Sequence, residues 1–240
     1  SDLNFEQEGK VSGEWFISEE GLVGAQSSGD GFLLSSDSAA NFTYYANLIL
    51  SGAAAAIVFR AEADMSDYLI ANYDDNGKIV KLWSPRGELG RADAEGVNVN
   101  DVTLKVKALD KRIIVYINGV EVINVTLPES EPTEGFFGLI TCVARTTFKS
   151  IVLLKESYDY SGGSLNIKGD TNQAVTAIYN RTCGNVKIHP SFYTVSGRSI
   201  EISEDYFKTL KDGGVYEFTV AGAKASFDFS VNVLQVPLTD

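Results

Sequence analysis

The sequence predicts an all-β protein with two domains, a two-sheet jelly-roll β-sandwich followed by a smaller immunoglobulin-like β-sandwich. Apolar and polar residues alternate with a period of two over most of the first domain, where helical periodicity is hard to find, and the second domain again shows strand segments. Turn signals separate the alternating segments at short intervals, which is typical of antiparallel sandwiches and barrels. We predict domains at residues 1–156 and 164–240, with a linker of Gly, Ser and Tyr over 157–163.

Alternating segments mark the strands of the first domain. We predict strands over residues 43–50, 54–60, 102–108 and 137–143. In the segment VTLKVKA, which begins at Val102, apolar residues fall on one face and Thr and Lys on the other. The segment RIIVYINGVEVINV is a predicted hairpin, in which Asn118-Gly119 supplies the two positive-φ residues of a type I′ turn.

The segment YLIANYDDNGKIVKLWS is a second predicted hairpin, with Asn76-Gly77 at its tip. This register places Asn72 opposite Lys81, and Ile70 opposite Trp83. One face of the hairpin is then a core face that carries Leu69, Ala71, Tyr73, Val80 and Leu82. The other face is too aromatic for plain solvent exposure and too polar for a core, and it carries Tyr68, Ile70, Asn72, Asp74, Lys81 and Trp83.

We interpret the second face of this hairpin as a ligand site. In the preceding strand, alternation puts the small residues Ala54 and Ala56 on the same face as Arg60, which leaves room beside Tyr68 and Trp83. Planar Trp and Tyr rings stack on apolar faces of sugar rings, while Arg and carboxylates make charge-assisted hydrogen bonds to hydroxyl groups. In the alternative, structural interpretation, a loop covers the two aromatic rings and Arg60 pairs with an acidic side chain.

The composition limits the chemistry that the chain can perform. The net charge is −12, and residues 1–156 hold 13 basic and 23 acidic residues, so the acidity belongs to the first domain and argues against nucleic acid as a partner. No apolar run approaches the roughly 20 residues of a membrane span. One His and two Cys leave little for a Ser-His-Asp triad or a zinc site. Cys142 and Cys183 fall in different domains and are predicted to be unpaired.

An acidic segment raises the alternative that the first domain is a catalytic one. The segment EADMSD spaces Glu62, Asp64 and Asp67 as in some sandwich-fold glycosidases, which need two carboxylates about 5–5.5 Å apart on one strand. The segment follows a strand end, so we predict a solvated loop without catalytic residues. No cofactor is predicted. The hairpin tip lacks the full pattern of a calcium loop, and a structural calcium ion elsewhere in the sandwich is left open.

The second domain also reads as strands with turn signals between them. Ser203 is the predicted N-cap of one short helical turn over SEDYFKTL. Tyr216 follows Asp212-Gly213-Gly214 and begins a strand, which fits the tyrosine corner of an immunoglobulin-like sandwich.

Both domains resemble known families. In the first, the matching pieces are AAAIVFRAEADMSDYLIANYDDNGKIVKLW, GEWFISEEGLVGAQSSGDGFLLSS, NFTYYANLIL, KVKALDKRIIVYINGVEVI and EGFFGLITCVARTTFKSI. Together they resemble the family 66 carbohydrate-binding modules, which accompany levanases, inulinases and related bacterial glycosidases. The run FYTVSGRSIEISEDYFKTLKDGGVYEFTV resembles the immunoglobulin-like X modules of bacterial glycosidases. These resemblances imply a concanavalin/lectin-like sandwich followed by a spacer module.

The first resemblance implies a site for the terminal fructose of levan-type chains. By position it implies Arg60 at a strand end, an acid at Glu19 or Glu20, and hairpin residues Tyr68 and either Asp74 or Asp75. Asn72 and Trp83 join this set from the face analysis alone. The carbohydrate-binding candidates are therefore Glu19, Glu20, Arg60, Tyr68, Asn72, Asp74, Asp75 and Trp83.

The resulting functional prediction is non-catalytic binding of a polysaccharide or oligosaccharide. The resemblance implies a secreted or cell-surface bacterial protein in which a catalytic domain is covalently linked to this region. The alternatives are a concanavalin-like glycoside hydrolase that uses Glu62 and Asp64, and a surface adhesin that recognises a host glycan.

Overall fold

The computed structural model describes residue 5 and residues 11–169 and 174–234. The chain divides into two compact units, Ser1–Leu153 and Leu154–Asp240. Strands dominate both units, as the alternation predicts. In the described residues, no helix is both long enough and apolar enough to span a membrane.

The first unit is built from long antiparallel strands. They are β1 (Glu14–Ser18), β2 (Gly21–Ala39), β3 (Phe42–Ala61), β4 (Leu69–Asp74), β5 (Ile79–Ser84), β6 (Gly87–Asp93), β7 (Val102–Leu109), β8 (Arg112–Ile117), β9 (Val120–Thr126) and β10 (Gly135–Lys155). One layer has the order β1-β2-β10-β3-β4-β5-β6, and β7, β8 and β9 extend from β3 as the other layer. The strands predicted over 43–50 and 54–60 are therefore halves of one strand.

Strand β3 belongs to both layers of the first unit. Its first half, from Phe42 to Leu48, pairs with β7, and its second half, from Ala54 to Phe59, pairs with β4. Gly52 lies between the halves at φ 136°, where an added Cβ would come within 2.5 Å of the β10 backbone. This position therefore requires glycine.

The hydrophobic core of the first unit lies between the two layers. The predicted inward faces are confirmed, because each of these residues is fully buried: Leu69, Ala71, Tyr73, Val80, Leu82, Val102, Leu104, Val106 and Ala108. At one end of the core, the Phe42 ring packs edge-on against Phe59 and Phe137, with ring centroids 5.6 and 4.6 Å apart. A smaller cluster around Leu34, Val58 and Ile140 covers the outer face of the first layer.

The two predicted hairpins differ at their tips. Asn118 and Gly119 have φ of 49° and 83°, as a type I′ turn requires, so that prediction is confirmed. In the other hairpin the predicted register is confirmed, with Asn72 opposite Lys81. Its turn is wider, because the left-handed residue is Lys78 at φ 50° and not the Asn-Gly pair.

The second unit contains shorter strands in separate sheets. They are β11 (Ser157–Tyr160), β12 (Leu165–Lys168), β13 (Val175–Asn180), β14 (Val186–Lys187), β15 (Tyr193–Ser196), β16 (Ser199–Ile202), β17 (Gly214–Gly222) and β18 (Ser226–Val233). Their orders are β11-β18-β17-β13-β14 and β12-β16-β15. The helical turn predicted after Ser203 is α1 (Glu204–Phe207), although the Ser203 side chain makes no capping hydrogen bond.

The predicted linker over 157–163 is wrong for its first four residues. These residues are β11, which pairs in parallel with β18. Tyr158 and Tyr160 are two residues apart and both buried, and the Tyr160 ring stacks on Phe207 with centroids 3.7 Å apart. The Tyr residues are thus core residues of a strand. The Tyr216 hydroxyl donates to the Asp212 carbonyl at 2.7 Å, as a tyrosine corner would, while the immunoglobulin-like assignment stays a prediction.

Candidate functional site

A pocket of about 250 Å³ opens on the outer face of the first layer, which is the face opposite the core. Its floor consists of Ala54, Ala56, Ile70 and Ile140, and its walls carry Asp30, Tyr68, Asn72, Lys81, Trp83 and Cys142. The two alanines face the β4–β5 hairpin, with Ala56 paired to Asn72. Larger side chains at these two positions would fill the pocket.

Trp83 supplies an exposed aromatic surface to the pocket. Its side chain is 39% exposed although it lies on a strand in the interior of the layer. The pairing of β5 with β6 shifts between Leu82 and Trp83, because β6 carries an extra residue there. Such bulges change the direction of neighbouring side chains. The ring is therefore available for stacking against a ligand.

Asn72 supplies an unpaired acceptor. Its Oδ1 atom is buried and has no hydrogen-bond partner among the described residues. Lys81 lies directly opposite Asn72 and makes no ion pair with any described carboxylate. A buried acceptor without a partner costs free energy that an incoming donor recovers. This wall is therefore suited to a ligand that carries hydroxyl groups.

Asp30, Cys142 and Tyr68 form the polar wall on the opposite side. Burial and a hydrogen bond to the Asp30 carboxylate raise the pKa of the Cys142 thiol to about 11. Burial, and then the Asp30 charge, also raise the pKa of the Tyr68 hydroxyl. Both groups keep their protons at neutral pH. The wall thus presents one carboxylate acceptor and one phenol donor to the pocket.

The structure brings three of the predicted site residues together, namely Tyr68, Asn72 and Trp83. It adds Asp30, Lys81 and Cys142, which were not among the predicted site residues. Lys81 was already assigned to the correct face by the hairpin register. Asp30 and Cys142 become neighbours only through the pairing of β2 with β10, which joins distant parts of the sequence.

Arg60 does not line the pocket, which corrects the prediction from strand alternation. Its φ of 52° interrupts the alternation at the strand end. Its fully buried guanidinium lies 6.0 Å from the centroid of the Phe42 ring. There it donates to the carbonyl groups of Ala40 at 2.8 Å, Pro132 at 3.3 Å and Asp110. Arg60 therefore joins three loops of the fold.

Glu19 and Glu20 also lie away from the pocket. They form the exposed turn between β1 and β2, where the Ser18 Oγ atom accepts from the Glu20 amide at 3.2 Å. The adjacent Leu22 pairs with Phe148, whereas Asp30 in the pocket pairs with Cys142. The eight residue steps from Leu22 to Asp30 correspond to about 25 Å along a strand. Neither carboxylate can contact a ligand bound beside Trp83.

The hairpin acids support the turn and do not line the pocket. Asp74 Oδ1 accepts from the amides of Asn76 and Gly77 at 3.0 and 3.2 Å. Asp75 accepts from Lys78 Nζ at 2.6 Å and from the Tyr73 hydroxyl at 2.8 Å. The hydrogen bond from Lys78, followed by that from Tyr73, lowers the pKa of Asp75. These contacts explain the wide turn.

The acidic segment that suggested hydrolysis is a loop, as predicted. Asp67 pairs with Arg86 at 2.7 Å, and Arg86 also binds Glu131 at 2.9 Å. Asp64 Oδ1 accepts from the Ser66 amide at 2.9 Å. Among the described residues, no group of three or more His, Cys, Asp or Glu side chains lies close enough to hold a metal ion.

Comparisons with known proteins identify the first unit. Residues 4–154 match the model of a family described as the 3-keto-alpha-glucoside-1,2-lyase-like domain. A levanase of Bacillus subtilis strain 168 is 32% identical over 155 residues, which cover 61% of this chain and 22% of that protein. The chain therefore spans less than a quarter of that relative's length.

Solved structures also match the first unit. The carbohydrate-binding module CBM66 from Bacillus subtilis superposes with a TM-score of 0.57 at 25% identity, over 63% of this chain and 96% of that one. A Bacillus subtilis protein of unknown function with a galectin-like fold gives a TM-score of 0.50 at 10% identity, over 60% of this chain and 87% of that one. The predicted lectin-like sandwich and the similarity to family 66 modules are confirmed. The similarity of the second unit to X modules stays a prediction.

Proposed function

Through residues 4–154 the chain belongs to the 3-keto-alpha-glucoside-1,2-lyase-like domain family, and from its similarity to the module CBM66 we propose that it is a non-catalytic carbohydrate-binding module. Its ligand is the terminal fructose of a levan-type fructan. The observation that carries the proposal is the pairing, in one pocket, of the exposed Trp83 ring with the buried, unpartnered Asn72 Oδ1 atom. The similarity to a levanase segment and to CBM66 supports the ligand class.

The chemistry of the pocket matches a neutral sugar. Trp83 offers a flat apolar surface for the C–H face of a ring. Asn72 and Asp30 offer acceptors, and Tyr68 and Lys81 offer donors, so hydroxyl groups on different sides of a ring each find a partner. The net charge of −12 neither raises nor lowers the affinity for a neutral ligand.

The same pocket is poorly equipped for glycoside hydrolysis. Of the described residues that line it, Asp30 alone is a carboxylate, and its partner is the protonated Cys142 thiol. Hydrolases of the common type need two carboxylates across the scissile bond. The alternative pair, Glu62 and Asp64, lies in a loop where Asp64 accepts from a backbone amide.

Binding by this unit would serve a catalytic domain linked to it in the parent protein. Holding a polymer near that domain raises the effective substrate concentration without new catalytic groups. We assign the second unit as an immunoglobulin-like spacer, supported by its separate sheets and by the Tyr216–Asp212 hydrogen bond. The proposed location is outside the cell or on a bacterial cell surface.

Calorimetric titration tests this proposal. Levan, inulin and free fructose are titrated into the parent chain, the Trp83→Ala variant and the control Tyr116→Ala, whose ring lies in β8 on the other layer. We expect levan and fructose to bind the parent and the control, and Trp83→Ala to bind at least tenfold more weakly, as loss of one stacking contact predicts. The proposal fails if none of the fructans binds, or if the parent releases reducing sugar from them.

A further inference from the structure

A second concavity lies beside the pocket and shares strands β2, β3 and β10 with it. It encloses about 500 Å³, is open to solvent, and is lined by residues of β1, β2 and β10 and by Ser51, which lies between the two halves of β3. The two spaces meet on β10, where Cys142 lines the first and the next residue, Val143, lines the second. On β2, Ser27 lines the second space and Asp30, three residues further along, lines the first. The two spaces therefore lie next to each other on the outer face of the layer.

The strand register places opposite charges across this second concavity. Ala25 of β2 pairs with Glu14 of β1 on one side and with Arg145 of β10 on the other. Residues paired directly across antiparallel strands project from the same face. Glu14 and Arg145 thus flank the small Ala25 side chain, just as larger side chains flank Ala56 in the pocket.

Arg145 and Glu14 are available for a ligand. The Arg145 guanidinium lies 5.2 Å from the centroid of the Phe16 ring, and the ring itself is 37% exposed. Neither Glu14 nor Arg145 makes an ion pair with a described residue, although only one small residue separates them in the register. Cation–π contact holds the guanidinium plane in place, which lowers the entropic cost of using its N–H groups.

An irregular segment joins the two spaces. The pairing of β10 with β2 shifts between Cys142 and Ala144. Cys142 pairs with Asp30 and Ala144 pairs with Gln26, so two residue steps on β10 correspond to four on β2. Val143 at this point has φ 44° and is 47% exposed. Such irregularities between strands often occur beside binding sites, where they change the direction of side chains.

We infer that this second concavity is a subsite for the neighbouring sugar unit, so that the chain binds oligosaccharides in preference to a free monosaccharide. Arg145 lies three residues beyond Cys142, about 10 Å at strand spacing, so a sugar unit that leaves the pocket at its Cys142 end comes within reach of the Arg145 side chain. Glu14 accepts from the hydroxyl groups of that unit and Arg145 donates to them, while the Phe16 ring holds the Arg145 guanidinium in place. This inference rests on the proposed function, and it adds chain-length recognition to it.

A ladder of fructose and β-2,6-linked levan di-, tri- and tetrasaccharides tests the subsite. The dissociation constant of each sugar is measured for the parent, Glu14→Gln, Arg145→Met and the control Arg112→Met, an exposed Arg on β8. We expect the parent to bind the disaccharide roughly tenfold more tightly than fructose, the gain that one charge-assisted hydrogen bond supplies. Arg145→Met and Glu14→Gln should each reduce that gain and leave the affinity for fructose unchanged. Met keeps the apolar stem over Phe16, so the fold is preserved.

The results separate failure of the subsite from failure of the proposed function. If all sugars of the ladder bind the parent equally, or if Arg145→Met retains the full gain, the subsite is refuted while sugar binding by the pocket stands. If no sugar of the ladder binds the parent, both are refuted. If Arg112→Met reduces the gain as much as Arg145→Met does, the effect is one of overall charge, and the subsite is again refuted.

Discussion

The Arg60 cluster and the Trp83 pocket lie on neighbouring parts of the same layer, and each combines aromatic and polar side chains. Around Arg60 the guanidinium is fully buried and donates to backbone carbonyl groups of three loops. In the pocket, Trp83 stays 39% exposed and Asn72 Oδ1 has no partner among the described residues. The difference shows that residue types alone do not identify a binding site. The guanidinium of Arg60 is held by carbonyl groups of the fold, whereas Asn72 Oδ1 lines an open pocket and can accept from a ligand.

The largest effect we expect is on stability. Arg60→Met leaves the carbonyl groups of Ala40, Asp110 and Pro132 without their donor in a buried place. The expected loss is about 3–5 kcal/mol of the free energy of unfolding, measured by denaturant titration beside Arg112→Met as an exposed control. Sugar affinity of the remaining folded protein should match the parent. If the variant is as stable as the parent but no longer binds sugar, Arg60 is a binding residue and not a structural one.

Asn72→Ala should show the reverse behaviour. The substitution removes a buried acceptor that has no partner, so stability should be unchanged or slightly higher. Affinity for fructose should fall about tenfold, the value of one lost hydrogen bond in a desolvated site. Calorimetry gives the affinity and thermal unfolding gives the stability. If Asn72→Ala destabilises the protein and leaves affinity intact, the unpaired acceptor is a structural feature.

An effect of intermediate size is expected on the rates at which the thiols of Cys142 and Cys183 react. In a Cys183→Ser background, Cys142 should react slowly with a thiol reagent at pH 8, because its pKa is raised to about 11 by burial and by the Asp30 carboxylate. The rate should rise with pH up to about that value. Saturating fructose should slow it further, since Cys142 lines the pocket. The Cys142→Ser background, which keeps the exposed Cys183, is the control and should show no protection. Equal rates with and without bound sugar would place the ligand elsewhere.

The smallest effect belongs to the β1–β2 turn. Glu19→Gln and Glu20→Gln remove exposed charges about 25 Å along the strand from Asp30. We expect affinity for levan to stay within twofold of the parent, because charges this far away in solvent are screened. A clear loss of affinity in either variant would extend the site to that turn.

Local sequence patterns predicted the hairpin and therefore half of the pocket. The alternation in YLIANYDDNGKIVKLWS determined the register, and that register placed Tyr68, Asn72 and Trp83 together. The prediction from alternation failed at Arg60, because its backbone has a positive φ. That conformation depends on the three loops that the guanidinium contacts, and the apolar–polar periodicity of the sequence does not reveal it. Prediction from the sequence failed again at the linker, where the Tyr residues of 157–160 resembled loop composition but form a buried strand.

The other half of the pocket depends on pairing between distant segments. Asp30 and Cys142 are neighbours through β2 and β10, and no local pattern indicates which part of β2 lies beside β10. The shift in pairing at Cys142 makes the register still harder to infer. The same limitation explains why Glu19 and Glu20 were placed in the site on positional resemblance alone.

The pairing of β2 with β10 also sets the order in which the first unit can form. Leu22 pairs with Phe148 and Asp30 with Cys142, so each of these contacts closes a loop of more than a hundred residues. Closing such loops is slow, whereas the β4–β5 hairpin joins residues close in sequence. During synthesis the Trp83 wall can therefore be in place well before the Asp30 wall, since β10 leaves the ribosome last among the strands of this unit. A chain that ends before β10 contains Asp30 but lacks the strand that holds it in the layer, so only completion of β10 gives the protein its pocket.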